Sequence, residues 1–344
     1  MYRCLNVETL GISGRQSELI ELALSNRFKG IELDMETLAR QVDSRGQEYA
    51  TRCIDSAKKC KVGLQVGPWK LPIEWDADEA RLKEQITRIP ALANVAKMVE
   101  ANLCTTNVLP GSDTLALKEN FEFYAAKLSE IGDLLAPHGI KLAVGFHAAE
   151  AARTGKEHQF ICKADDMVTL LQMVKSDSVG LYLDTWNWHL GGGTLATIEK
   201  LGVDKLFAVS VADVPADAAV ESIELKQRLL PDPAAGVIPL AEMLNRLHEL
   251  EFDGPATPTP HISQYKGITR DKIVTKVSEA LRAVWPGADL AAEAAAEAVE
   301  RGEDPAAAAA AATAKPAAEG EQAEAAAATD KTEANGKEPA AAAK

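Results

Sequence analysis

From Met1 to about Trp285, short apolar runs alternate with longer segments whose apolar residues recur every three to four positions. The short runs have the length of buried strands, and the longer ones have the period of amphipathic helices. Read in order, strands are expected at 4–12, 30–35, 62–66, 104–109, 140–146, 179–184, 206–211 and 254–261. Helices are expected at 17–28, 47–59, 78–100, 115–136, 165–175, 194–201, 240–250 and 268–284. Ser17 is a candidate N-cap for the first helix. Pro90 marks a break or kink inside the third. The last strand is the weakest, because three prolines interrupt it.

Eight strand–helix units predict an α/β fold closed as a (β/α)8 TIM barrel, an architecture that takes roughly 250 residues. An open doubly wound sheet is the alternative. No G-x-G-x-x-G follows the first strand, so the dinucleotide-binding form of that sheet has no support. The barrel is assigned to 1–287. Beyond Pro286-Gly287 the chain becomes a low-complexity Ala/Glu/Lys tail, 288–344, with almost no large apolar side chains. Such a segment buries too little surface to offset its ordering entropy, and disorder is expected. Ala and Glu favour a helix over 291–301, so a partly helical tail is the other expectation.

Composition narrows the setting. Hydrophobic residues make up 47% of 344, enough for a sizeable core. The net charge is −14, of which the tail from Ala291 onward carries −6. That balance argues against nucleic acid held through phosphates and against an anionic membrane surface. The cysteines, at 4, 53, 60, 104 and 162, are odd in number and lack a C-x-x-C pair, which fits free thiols in a reducing compartment. The first residues show no signal-peptide pattern, and no apolar run approaches the roughly 20 residues of a membrane span. A cytoplasmic location is the expectation.

Candidate chemistry centres on V-G-L-Y-L-D-T-W-N-W-H-L-G-G-G-T at 179–194. A buried strand there ends in Asp184, then two tryptophans and three glycines. In parallel-sheet proteins ligands sit at that end of the strands. Asp184 is either a turn cap or a chemical residue.

Several stretches carry a family resemblance. They are F-K-G-I-E-L at 28–33, N-V-L-P-G-S-D at 107–113 and H-G-I-K-L-A-V-G-F-H at 138–147, then the sixth strand itself. Q-R-L-L-P-D-P-A-A-G-V-I-P-L at 227–240 and F-D-G-P-A-T-P-T-P-H at 252–261 follow. Together, in order and over almost everything before the tail, they resemble the xylose-isomerase-like TIM-barrel family of sugar phosphate isomerases and epimerases. The resemblance implies one divalent metal at the C-terminal mouth. Its ligands are a Glu on strand five, an Asp on six, a His on seven and a Glu on eight. The metal stabilises an enediolate while the two glutamates move protons.

Carried over residue by residue, most of that set is absent. The strand-five Glu falls at Gly145, the strand-seven His at Ser210 and the strand-eight Glu at Thr259, while Asp184 is retained. A substrate-contacting His falls at Asn187. Asp213 is intact, and Arg228 matches a family arginine that can hold a substrate oxyanion. The glycine loop before Val237 has become Asp232-Pro233-Ala234-Ala235. One Asp and two hydroxyls make a poor divalent site, so no cofactor is expected, although the resemblance leaves a divalent metal open.

Three readings follow. The first is a degenerate barrel, a pseudoenzyme that binds a sugar or polyol through Asp184, Trp186, Asn187, Asp213 and Arg228. The second is an active isomerase or epimerase with a displaced metal site built from Asp184, His147, His189 and His261. The third is an interaction protein working through its tail. Trp69, Trp186 and Trp188 are either a sugar-stacking floor or plugs of the barrel mouth. Glu8, Glu32 and Asp34 are expected in buried polar contacts near the barrel interior, and Asp113 in a turn. Related metal-dependent nucleases need several His and Asp ligands and a basic groove, which this acidic chain lacks. Self-association is not legible.

Overall fold

The computed structural model describes residues 1–59, 63–219 and 222–313. The strands are β1 (Tyr2–Leu5), β2 (Gly30–Ile31), β3 (Gln65–Val66), β4 (Trp69–Lys70), β5 (Leu103–Asn107), β6 (Gly111–Ser112), β7 (Lys141–Gly145), β8 (His158–Gln159), β9 (Val179–Asp184), β10 (Leu206–Val211) and β11 (Pro255–Pro258). All but β6 and β8 form one parallel ladder in the order β3-β2-β1-β11-β10-β9-β7-β5-β4. Its two ends, β3 and β4, are halves of one strand joined through Gly67-Pro68, so the sheet closes on itself as an eight-stranded barrel. Gly67 is needed at the splice, because a Cβ there would collide with Cys4 Sγ. β6 and β8 form a separate antiparallel ribbon, where Asp113 accepts from Lys156 Nζ at 2.7 Å.

Helices α1 (Gln16–Ser25), α2 (Met35–Arg45), α3 (Gln47–Lys58), α4 (Glu79–Met98), α5 (Leu117–Leu135), α6 (Ala164–Met173), α7 (Thr185–Leu190), α8 (Leu195–Leu201), α9 (Leu240–Glu249) and α10 (Arg270–Ala283) accompany the strands. Their apolar faces carry the core. In α9, Leu240, Met243, Leu244 and Leu247 are buried, and in α10 Ile273, Val274, Val277 and Leu281. Each such side chain contributes about 1.5–3 kcal/mol through removal from water.

Several sequence expectations are corrected. The first strand stops at Leu5, and Glu8 to Gly11 form a turn. Arg15, not Ser17, occupies the N-cap of α1. The second strand stops at Ile31, because Asp34 turns the chain into α2 by accepting from Thr37 N–H at 3.0 Å. Asp34 and Glu8 are therefore exposed, and of the three early carboxylates only Glu32 meets the barrel interior. Helix α4 runs unbroken through Pro90. β11 tolerates its prolines because Pro255 and Pro258 sit at its two ends, leaving Ala256 and Thr257 to hold the middle of the ladder.

Residues 1–286 and 287–344 form two units. In the second, α11 (Gly287–Arg301) and α12 (Pro305–Thr313) are helical. The disorder expected further on falls on 314–344, outside the described residues. Among the described residues no helix is long and apolar enough to cross a membrane.

Candidate functional site

The C-terminal strand ends gather a buried polar cluster around one arginine. Arg228 lies in the segment after β10 and turns back into the barrel, where it is 7% exposed. Its Nη2 meets Asp184 Oδ2 at 2.8 Å and donates to Ser210 Oγ at 2.8 Å. It also donates to Thr259 Oγ1, while Nε donates to the Thr259 carbonyl. Ser210 and Thr259 share a hydrogen bond between their hydroxyls. The guanidinium also lies 5.8 Å from the centre of the Trp186 ring. The ends of β9, β10 and the chain just past β11 thus converge on one side chain.

Asp184 resolves as both of its sequence readings. Oδ1 caps α7 by accepting from Asn187 N–H at 3.1 Å, and Oδ2 pairs with Arg228. Thr185 then fastens this end to the next strand. Its hydroxyl donates to the Ala212 carbonyl at 2.7 Å and accepts from the Ala212 N–H at 2.9 Å.

The segment carrying Arg228 is anchored by Asp213. This carboxylate is 2% exposed, and its Oδ1 accepts from the N–H groups of Val214, Val237 and Ile238 at 2.8, 3.1 and 3.0 Å. Backbone bonds between Asp213 and Leu229 run both ways at 3.0 Å. Gly236 is required beside it, since a Cβ would fall on the carboxylate. Asp213 therefore shapes the loop rather than facing a ligand.

The remaining expected site residues are placed as follows. Asn187 Oδ1 accepts from the Ala148 N–H at 3.0 Å, tying α7 to the chain after β7. Trp69, Trp186 and Trp188 are 1%, 1% and 0% exposed, so they plug the barrel rather than offer a stacking floor. His189 lies on α7, not on a loop. His261 Nδ1 is occupied by Ser263, accepting its N–H at 3.2 Å. His147 lies near Asp184 and Arg228. Burial holds its imidazole below the usual value, and Arg228 adds to this while Asp184 opposes it. Among the described residues no group of three or more His, Cys, Asp or Glu side chains is placed to hold a metal, so His147, His189, His261 and Asp184 do not form the displaced centre.

Three further residues complete the cluster: sequence reasoning missed Asn107 and Tyr182, and placed Glu32 only as a buried polar contact near the barrel interior. Asn107 Oδ1 stands where a side chain at Gly145 would begin, with the Tyr182 ring 3.2 Å from the same point. Tyr182 also reaches Ser210, and burial pushes its phenol well above the ordinary value. Its signal was legible, because it lies two residues before Asp184 on the same strand face. Glu32 reaches across the barrel to accept from Thr257 Oγ1 at 2.9 Å, and also accepts from Asn6 Nδ2. Burial pushes Glu32 up to about 7, with the Glu8 carboxylate adding to the rise and the two hydrogen bonds opposing it.

The divalent ion implied by resemblance does not fit these donors. Asp184, Ser210 and Thr259 are already bonded to a permanent cation, and Gly145 offers nothing. Hard divalent ions want several free anionic oxygens.

Residues 19–284 match the family described as xylose isomerase-like TIM barrel, and the chain belongs to that family. The inosose isomerase of Halalkalibacterium halodurans is 23% identical over 197 residues, which span 57% of this chain and 66% of that protein, just under two thirds of its length. A xylose isomerase domain protein from Alicyclobacillus acidocaldarius superposes with a TM-score of 0.70 at 18% identity, covering 83% of this chain and 98% of its own. The IOLI protein with a bound zinc atom superposes at 0.69 and 18%, with the same coverage.

Proposed function

We propose that this chain is a degenerate member of its family, binding a sugar-like small molecule without metal-dependent proton transfer. One observation carries the reading. At Gly145 the family's carboxylate is absent and its space is refilled by Asn107 and Tyr182. Thr259, at the other proton-transfer position, has a hydroxyl already bonded to Arg228 and Ser210. Neither group exchanges a proton with substrate near neutral pH. The sugar-like ligand class is supported by relatives named for inosose, a ketone of a cyclic polyol.

The test combines turnover and binding. Purified protein is assayed on inososes and ketohexoses with and without added manganese, cobalt or zinc, and its Tm is followed against the same compounds. No metal-dependent turnover and a ligand-dependent rise in Tm are expected. Turnover that appears with metal and vanishes with chelator overturns the reading.

A further inference from the structure

The positive charge at this mouth belongs to the chain itself. Asp184 Oδ2, Ser210 Oγ, Thr259 Oγ1 and the Thr259 carbonyl form a socket of four oxygens from three neighbouring strand ends, and the Arg228 guanidinium is seated in it. Only one of the four is a formal anion, so one monovalent cation balances the socket. The donors it satisfies are arranged in the flat fork of a guanidinium, a geometry that a spherical ion does not share. The Trp186 face at 5.8 Å adds an apolar wall suited to a weakly hydrated planar cation rather than to a strongly hydrated divalent one.

The arginine is built in. Its segment is pinned immediately after it by the Asp213–Leu229 backbone pair and further on by Asp213 Oδ1, which holds the Val237 and Ile238 N–H groups, and the Arg228 carbonyl accepts from the His261 N–H at 3.0 Å. Nε and Nη2 serve all four socket oxygens. Nη1 forms no hydrogen bond among the described residues. It is the edge of the cation left over for a ligand oxygen.

We propose that Arg228 has taken over the place and charge of the family's metal. It acts as a tethered planar cation whose free Nη1 edge binds the ligand's acceptor oxygen, and its socket, once emptied, takes up free guanidinium ion. Ligand binding at this mouth is then indifferent to chelators. The ligand-oxygen role rests on the small-molecule reading above, whereas the socket's choice of cation does not.

The experiment uses the full chain and an Arg228→Ala variant. The variant is expected to lose about 5–10 °C of Tm, because the partly buried Asp184 is left without its partner. Guanidinium chloride at about 20 mM, far below denaturing concentration, is expected to restore most of that loss. Urea, manganese and zinc at the same concentration are not. A variant that guanidinium does not stabilise, or that a divalent ion stabilises more, overturns the proposal. Should the variant fail to fold, dialysis of the unmodified chain against zinc and manganese decides it. Stoichiometric metal in that protein overturns the proposal, and none upholds it. Absence of any sugar binding by the unmodified chain counts against the earlier reading alone, because guanidinium rescue is read without ligand.

Discussion

Asn107 Oδ1 crowds the point where a Cβ at Gly145 would stand, so on these two paired barrel strands the side chain of one takes the space that the glycine of the other leaves. Restoring a side chain at 145 therefore means evicting Asn107. Gly145→Ala is expected to cost about 1–3 kcal/mol as an overpacked core substitution. Asn107→Ala in the same chain should recover most of that loss. Urea denaturation of the two single variants and the double variant measures the coupling, and simple additivity would contradict the shared space.

Asp213→Ala removes the acceptor of three backbone N–H groups and is expected to cost about 3 kcal/mol or more. Hydrogen exchange should speed up at Val214, Val237 and Ile238 ahead of the rest of the barrel. Asp213→Asn, which keeps one oxygen, should fall between this variant and the parent. Unchanged exchange at those amides in the Ala variant would show that the loop has another anchor.

Thr185→Val keeps the shape of the side chain but leaves the Ala212 N–H and carbonyl without their shared partner. A loss of about 1–3 kcal/mol is expected. A neutral result in chemical denaturation would mean that the β9 and β10 ends hold together without it.

Glu32 makes stability fall as pH rises. Its carboxyl is raised to about 7 by burial, while the unfolded chain keeps it near the usual carboxylate value. Below about pH 4 it is protonated in both states and carries no penalty. Between there and about pH 7 the folded state binds the extra proton, and stability declines across that interval by no more than about 3 kcal/mol. Glu32→Gln should flatten that slope. An identical pH profile in parent and variant, measured by urea unfolding from pH 4 to 8, would remove Glu32 as its source.

The fold was legible because period is a local property. Strand and helix spacings mark the eight units without reference to distant residues. The misreadings have local causes too. Asp34-Met35-Glu36-Thr37 carried a capping signal that the preceding apolar run obscured, and Gly67-Pro68 hid the second half of the third strand. At the site, the neutral residues at 145, 210 and 259 were readable one by one. What replaced their chemistry was not. Arg228 lies 31 residues from Thr259 and 18 from Ser210. The family resemblance brought Arg228 to the site as a substrate contact, but no spacing rule says that its guanidinium will turn inward to bond Ser210 and Thr259.

The splice at Gly67-Pro68 has a mechanical consequence. β3 is laddered to β2 and β4 to β5, while the two halves are joined to each other by chain alone. Cutting the peptide between Pro68 and Trp69 would sever the hoop without breaking a single rung. A barrel nicked there would stay round by the grip of the side chains inside it and by the helices that bridge the seam outside, where α2 packs on α4 and Lys58 Nζ donates to the Val99 carbonyl at 2.7 Å, so its springing open or staying shut would weigh that packing against the backbone directly.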